Sequence, residues 1–294
     1  MEIKKVGVVG CGLMGSGIAQ IAAQAGFDVV VREVEQSYLD KGFGRIRKFL
    51  DSGVKRGKME AADADATFGR IRGVTDLKDL ADRDIVIEAV TENLKVKEEV
   101  FSTLDACLAD HAILASNTSS LSIVEMAAFT KRPDRFIGLH FFNPVPIMKL
   151  VEVVRTVTSS KESVDTGMAF AESLGKKPIL AKDSPGFVVN LLLVPFLLSA
   201  IRAVEKGIAS IPDVDKGMIL GCGHPMGPLT LLDFVGLDTT YYIADIMFDE
   251  FKTAEYAAPT LLKRMVMAGY HGRKSGKGFY DYSGEKPVPT EGLV

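Results

Sequence analysis

Gly10-Cys11-Gly12-Leu13-Met14-Gly15 follows the apolar run Val6–Val9 and opens onto the helical spacing of residues 13–26. Glycines at this spacing, between a strand and a helix, permit a tight turn. They let a pyrophosphate approach the backbone and let helix and strand pack closely. Free N–H groups at the helix start would then face the phosphates. The pattern alone is a weak signal, and a glycine turn without a ligand is its plain alternative. A carboxylate at the end of the next strand, roughly 20 residues on, completes it by hydrogen-bonding the adenosine ribose. Glu33 ends the run Asp28–Glu33. Gly10, Gly12, Leu13, Met14, Gly15 and Glu33 are therefore expected to form a dinucleotide site. The carboxylate repels a 2′-phosphate, which favours NAD over NADP, while Arg32 beside it pulls the other way.

Further strand-like runs occur at 84–90, 112–117, 135–142, 149–156 and 177–183, separated by helical stretches at 93–109, 122–130 and 160–174. Such alternation predicts an α/β, doubly wound parallel sheet. After Ser184 no convincing strand precedes the tail, and long helical stretches dominate. Two domains are expected: residues 1–183, cofactor-binding with a helical insert at 34–83, and residues 184–294, smaller and all-helical. The composition, 47% hydrophobic and 25% charged, is globular. A net charge of −3 gives no reason to expect nucleic acid or an anionic membrane surface. Cys11, Cys107 and Cys222 are scattered and lack metal-ligand spacing, so they read as reduced thiols of a cytoplasmic protein, with no metal expected. Glycines interrupt the N-terminal apolar run too early for a signal peptide. The longest later apolar run, 187–201, is short for a bilayer and contains Asn190 and Pro195.

Several polar residues sit where packing alone would not put them. Between Lys41 and Lys58 lie seven basic residues and one acid, Asp51. That run is either a solvated helical face or a patch that concentrates an anionic ligand. Ser116, Asn117, Thr118, Ser119 and Ser120 follow a strand, at the carboxyl end where open α/β sheets bind ligands. One helix cap does not need so many. His140 ends the next strand, and Glu152 interrupts the apolar run "KLVEVV". A carboxylate there needs a partner. A histidine would suit it, gaining a fixed tautomer and a stabilised imidazolium. Asn190 is a lone amide in "FVVNLLLVP". Each has a bland reading: a satisfied core histidine, a half-exposed strand glutamate, an amide that caps or bends its helix. With a nicotinamide cofactor in the same crevice, the set makes better sense as alcohol-oxidising chemistry.

The segments "GVVGCGLMGSGIAQ", "EAVTENLKVKEEVF", "ILASNTSSLSI", "GLHFFNPVPIMKLVEVV", "DSPGFVVN", "GHPMGPLTLLDFVGLD" and "GRKSGKGFYDY" closely resemble the short-chain 3-hydroxyacyl-CoA dehydrogenases, nearest the bacterial 3-hydroxybutyryl-CoA dehydrogenases, from about residue 3 to 282. The resemblance implies a Rossmann-type domain joined to a helical domain that forms a homodimer interface. It implies interconversion of an (S)-3-hydroxyacyl-CoA, with 3-hydroxybutyryl-CoA foremost, and its 3-ketoacyl-CoA, with NAD(H), in fatty-acid β-oxidation or butyrate and butanol metabolism. It makes His140 the base, Glu152 its partner, and Ser119 and Asn190 the contacts of the substrate oxygen. Ala89, Val90, Glu92, Lys97, Asn117, Ser119, Asn143 and Lys274 fall at cofactor-side positions, and Lys55 and Lys58 where the family meets coenzyme A. Two departures are visible: Leu191 stands where the family usually has arginine, and Glu33 where it mostly has aspartate. The rival readings are a dehydrogenase of small free hydroxy acids and a non-catalytic, crystallin-like dinucleotide-binding protein.

Overall fold

The computed structural model describes residues 1–293, and the chain divides into two compact units, Met1–Phe187 and the residues from Val188 onward. The first unit holds β1 (Lys5–Val9), α1 (Leu13–Gln24), β2 (Asp28–Arg32), α2 (Gln36–Lys55), α3 (Ala61–Gly69), β3 (Ile71–Val74) and β4 (Ile85–Glu88). It continues through α4 (Leu94–Cys107), β5 (Ile113–Ser116), α5 (Ile123–Ala127), β6 (Phe136–Phe141), β7 (Leu150–Arg155), α6 (Lys161–Ser173) and β8 (Lys177–Lys182). The eight strands form one sheet in the order β3-β2-β1-β4-β5-β6-β7-β8. The order reverses between β1 and β4, the point where doubly wound sheets bind ligands beyond their carboxyl ends.

Valine and isoleucine fill strands that are buried on both faces, as a sheet sandwiched between helices requires. Val6, Val8, Val29, Val31, Ile85 and Ile87 pack into one apolar cluster with residues of α1 and α6. Val9, Val30, Val86, Leu114 and Phe136 pack into another, with Val100, Phe101 and Leu104 of α4 and Met126 of α5. Successive side chains of a strand alternate between these layers. Glu88, Ser116, His140 and Glu152 thus all lie at positions facing the α4–α5 side.

The structure departs from the expected layout in three ways. The stretch 34–83 is not wholly helical: after α2 and α3 it adds β3 at the sheet edge, paired in parallel with β2. In "IRGV" only Ile71 and Val74 are buried, so neither an apolar run nor a period of two marks it as a strand. Nor is the sheet parallel throughout, because β7 runs antiparallel to β6, with β8 parallel to β7. Residues 142–149 are too few for a crossover, which takes a dozen or more, so the chain must turn straight back.

The second unit is built from α7 (Val189–Glu205), α8 (Ile211–Cys222), α9 (Pro228–Val235), α10 (Leu237–Phe251) and α11 (Thr260–Met267). Leu198, Ile201, Leu232, Ala244, Met247 and Leu262 are central to its core. It is not purely helical, since β9 (Tyr280–Asp281) and β10 (Val288–Pro289) form a short antiparallel pair. Asp233 holds this tail on α9, accepting hydrogen bonds from the Phe279 and Tyr280 amides, both at 2.8 Å, and the Tyr282 hydroxyl at 3.0 Å. No helix among the described residues is long and apolar enough to cross a membrane.

Candidate active site

The glycine turn has the shape a dinucleotide needs. Gly10 adopts φ +96°, and a Cβ there would lie 2.6 Å from the Ala89 carbonyl at the end of β4. A Cβ on Gly15 would lie 1.9 Å from the Gly10 carbonyl, so α1 starts hard against the turn. Gly12 is different: a Cβ there would meet nothing within 4 Å. It is also the N-cap of α1, where no side chain caps the helix. The first-turn amides of Leu13, Met14 and Gly15 therefore face a space open to an anion. Glu33, at the end of β2, accepts from the Cys11 amide at 2.8 Å and the Val34 amide at 3.0 Å, which holds its carboxylate at the rim of the turn. Arg32 donates to the Thr75 carbonyl at 3.0 Å. These residues fit a bound NAD: open space for the pyrophosphate, free amides, and an acid for the ribose.

Cys11 fixes the turn from below. Its side chain packs into the space that a Cβ on Gly42 of α2 would fill, and its carbonyl accepts from Arg45 at 3.0 Å. Burial, reinforced by the Glu33 carboxylate and opposed by Arg45, pushes its thiol up to about 12. With exposed Cys222 and half-buried Cys107, this gives an order of reactivity. In the folded protein at pH 8, Ellman's reagent is expected to label Cys222 first, Cys107 slowly, and Cys11 only after denaturant is added; rapid labelling of Cys11 in the native state would contradict it. The sign of the stability effect follows. Between the ordinary 9.0 and about 12 the folded thiol holds a proton that the unfolded one has released, so folding stability falls as pH rises through that window.

His140 and Glu152 are brought together by the turn that made β7 antiparallel. They are direct register partners across the β6–β7 ladder, which places both side chains on one face within contact range. The His140 Nδ1 and Glu152 Oε2 lie 2.7 Å apart, with Glu152 fully buried and His140 6% exposed. With Nδ1 engaged by a carboxylate, Nε2 is the nitrogen left to exchange a proton. Phe142 and Phe187 flank the imidazole, with ring centroids 4.5 and 5.6 Å away. Phe187 is held at φ +49°, a conformation that costs a non-glycine residue about 1 kcal/mol or more.

The 116–120 run joins this strand through Asn117, whose Oδ1 accepts from the Phe141 amide at 2.9 Å. Ser119 is the one residue of the run that is not buried. Lys97 is almost fully enclosed and its ammonium lies 2.6 Å from Glu88 and 3.3 Å from Glu92. Glu92 accepts from the Thr118 hydroxyl at 2.9 Å and the Ser119 amide at 3.1 Å. Asn143 is exposed just beyond β6, and Ala89 and Val90 continue from the end of β4 beside the glycine turn. Sequence reasoning passed over Glu88. It is as anomalous at the end of the apolar strand "IVIE" as Glu152 is in "KLVEVV", and the same test would have found it.

The basic run divides. Arg47 is paired with Asp51 and Asp65, Arg45 serves the glycine turn, and Lys41 lies over the Tyr38 ring. Lys55, at the end of α2, and Lys58, just after it, are exposed and make no ion pair among the described residues. In the second unit, Asn190 lies in the first turn of α7, and Lys274 pairs with Asp238 at 2.6 Å. Among the described residues no group of three or more His, Cys, Asp or Glu could hold a metal ion.

Comparison with known proteins agrees with this layout along nearly the whole chain. The 3-hydroxybutyryl-CoA dehydrogenase of Mycobacterium tuberculosis strain H37Rv is 52% identical over 282 residues, 95% of this chain and 99% of that protein. The human mitochondrial hydroxyacyl-coenzyme A dehydrogenase is 46% identical, over 95% of this chain and 91% of its own. Among solved structures, FadB2 of M. tuberculosis superposes with a TM-score of 0.95 at 52% identity, covering 96% of this chain and 100% of the other. The (S)-3-hydroxybutyryl-CoA dehydrogenase of Ralstonia eutropha does so with 0.93 at 44%, over the same shares. The profile of the 3-hydroxyacyl-CoA dehydrogenase NAD-binding domain matches residues 5–184 and that of its C-terminal domain residues 186–282. A glycine turn shaped for NAD and a histidine–carboxylate pair thus sit in a chain that belongs to the 3-hydroxyacyl-CoA dehydrogenases, NAD-dependent oxidoreductases of 3-hydroxyacyl-CoA thioesters.

Proposed function

We propose that this enzyme acts on short (S)-3-hydroxyacyl-CoA thioesters, 3-hydroxybutyryl-CoA foremost, with His140 as the general base. NAD, when bound, supplies the acceptor for the hydrogen on the substrate's third carbon. Nε2 of His140 takes the hydroxyl proton, and in the reductive direction the imidazolium returns it. Glu152 keeps the Nδ1 proton in place and stabilises the charged ring. Ser119 hydrogen-bonds the substrate oxygen, and Asn190 is assigned a second hydrogen bond to it. Lys55 and Lys58 take the phosphates of coenzyme A, attracted by the local positive charge. Gly10, Gly12, Leu13, Met14, Gly15, Glu33, Ala89, Val90, Glu92, Lys97, Asn117, Asn143 and Lys274 serve the cofactor.

The observation that carries this reading is the 2.7 Å contact between His140 and a fully buried carboxylate. A buried carboxylate needs a partner, and an imidazole held in this way leaves one nitrogen poised for proton transfer. From the sequence resemblance alone we infer a homodimer formed through the second unit, a cytoplasmic setting, and a place in fatty-acid β-oxidation or butyrate and butanol metabolism.

Following NADH absorbance with acetoacetyl-CoA, a long-chain 3-ketoacyl-CoA, and free acetoacetate tests the substrate. The ratio kcat/KM is expected to be highest with acetoacetyl-CoA and to fall by more than about tenfold with acetoacetate, which lacks the phosphates that the lysines would hold. An equal ratio with the free acid would overturn the coenzyme A assignment, and a higher one with the long chain would overturn the short-chain one. Lys55→Ala with Lys58→Ala should raise KM for acetoacetyl-CoA and leave kcat nearly unchanged, the signature of lost uniform binding.

A further inference from the structure

We propose that Glu88 is a positioning residue that sets the segment bearing Ser119. This rests on the assignment of Ser119 to the substrate oxygen. Glu88 is fully buried at the carboxyl end of β4 and none of the chemistry above uses it. Its carboxylate accepts three hydrogen bonds: from the Val90 amide at 2.7 Å, the Lys97 ammonium at 2.6 Å, and the Ser116 hydroxyl at 2.6 Å.

Two chains of hydrogen bonds lead from it to the same place. One is short. Glu88 and Ser116 are register neighbours on parallel strands, and Ser116 Oγ in turn accepts from the Thr118 amide at 3.2 Å. The other passes through Lys97 to Glu92, which accepts from the Thr118 hydroxyl and the Ser119 amide. Residues 118 and 119 are thus held from two sides by one carboxylate. Enclosing a lysine and a glutamate is costly, and apolar residues of similar volume would pack such a position as well or better. An arrangement that fixes one loop geometry gives those buried charges a use. Neutralising Glu88 leaves the Lys97 ammonium with Glu92 as its one carboxylate neighbour among the described residues. Glu92 is then drawn toward the charge and away from the Ser119 amide.

The test is steady-state NADH oxidation with acetoacetyl-CoA, using wild type, Glu88→Gln, Ser116→Ala, Ser119→Ala and the Ser116→Ala/Ser119→Ala double variant. Thermal unfolding of each checks the fold. Ser116→Ala removes one oxygen and keeps the buried charges, so it remains informative if Glu88→Gln fails to fold. Glu88→Gln is expected to lower kcat by about tenfold to a hundredfold and Ser116→Ala by about tenfold, the scale of small misplacements in an active site. In the Ser119→Ala background, Ser116→Ala should cost less than about twofold, because the group it positions is gone. A residue that merely supports the fold would cost the same in both backgrounds. Multiplying losses in the double variant, or wild-type kcat in folded Ser116→Ala, would overturn the proposal. If Ser119→Ala slows turnover while Ser116→Ala and Glu88→Gln do not, Glu88 alone loses its role. If Ser119→Ala turns over like wild type, the assignment of Ser119 falls first and this proposal with it.

Discussion

Gly15→Ala is expected to raise the Kd for NADH by about a hundredfold or more, with a loss of stability of about 1–3 kcal/mol, the usual cost of overpacking. The added methyl would sit 1.9 Å from the Gly10 carbonyl, which is backbone and cannot rotate away. Either α1 or the turn must shift by more than an ångström. The turn in turn bears on the Ala89 carbonyl at the end of β4, so the displacement cannot be absorbed there. A shift of that size misplaces the amides that face the pyrophosphate. Gly12→Ala is the control. Its methyl would meet no protein atom within 4 Å, so the melting temperature should hold while NADH affinity falls, because the methyl occupies the ligand's space. Fluorescence titration of NADH and thermal unfolding read both effects. Wild-type affinity in Gly15→Ala would refute the role given to this turn.

His140→Gln is expected to lower kcat by about a hundredfold or more, the scale of losing an acid–base group, with NADH affinity nearly unchanged. Glutamine can keep a hydrogen bond to Glu152, so the buried carboxylate is not stranded, but it cannot carry a proton to and from the substrate. His140→Ala would be a poorer test. Removing the partner of a buried charge costs about 3–5 kcal/mol, and unfolding would then be confused with lost chemistry. Stopped-flow mixing of enzyme-bound NADH with acetoacetyl-CoA separates binding from chemistry.

Most of what positions this site was legible in the sequence because it is written in local patterns. A glycine turn after an apolar strand, an acid at the end of the next, and polar residues at the ends of apolar runs each break a simple period, and the breaks fall at the carboxyl edge of one sheet. His140 and Glu152 could be paired in advance because a lone carboxylate in an apolar strand requires a partner. Three things were hidden. β3 is too short, and too exposed in its middle, to carry a period. The antiparallel turn into β7 lay in the length of its connection rather than in its residues. Glu88 stands inside the strand-like run 84–90, where the test that singled out Glu152 applies equally, but its partners Lys97 and Ser116, 9 and 28 residues on, were not legible. The bond to Ser116 is set by strand register and the one to Lys97 by the path of the chain from β4 into α4, which no window of sequence displays.

The most direct measurement is a double-mutant cycle on the pair itself. Single-turnover rates of NADH oxidation by acetoacetyl-CoA are compared for wild type, His140→Gln, Glu152→Gln and the double variant, each checked for fold by thermal unfolding. If Glu152 acts only by steadying the imidazole, the double variant is no slower than His140→Gln alone. Rate losses that multiply would show that Glu152 acts independently of the imidazole, and a wild-type rate in His140→Gln would show that proton transfer in this enzyme runs through some other group.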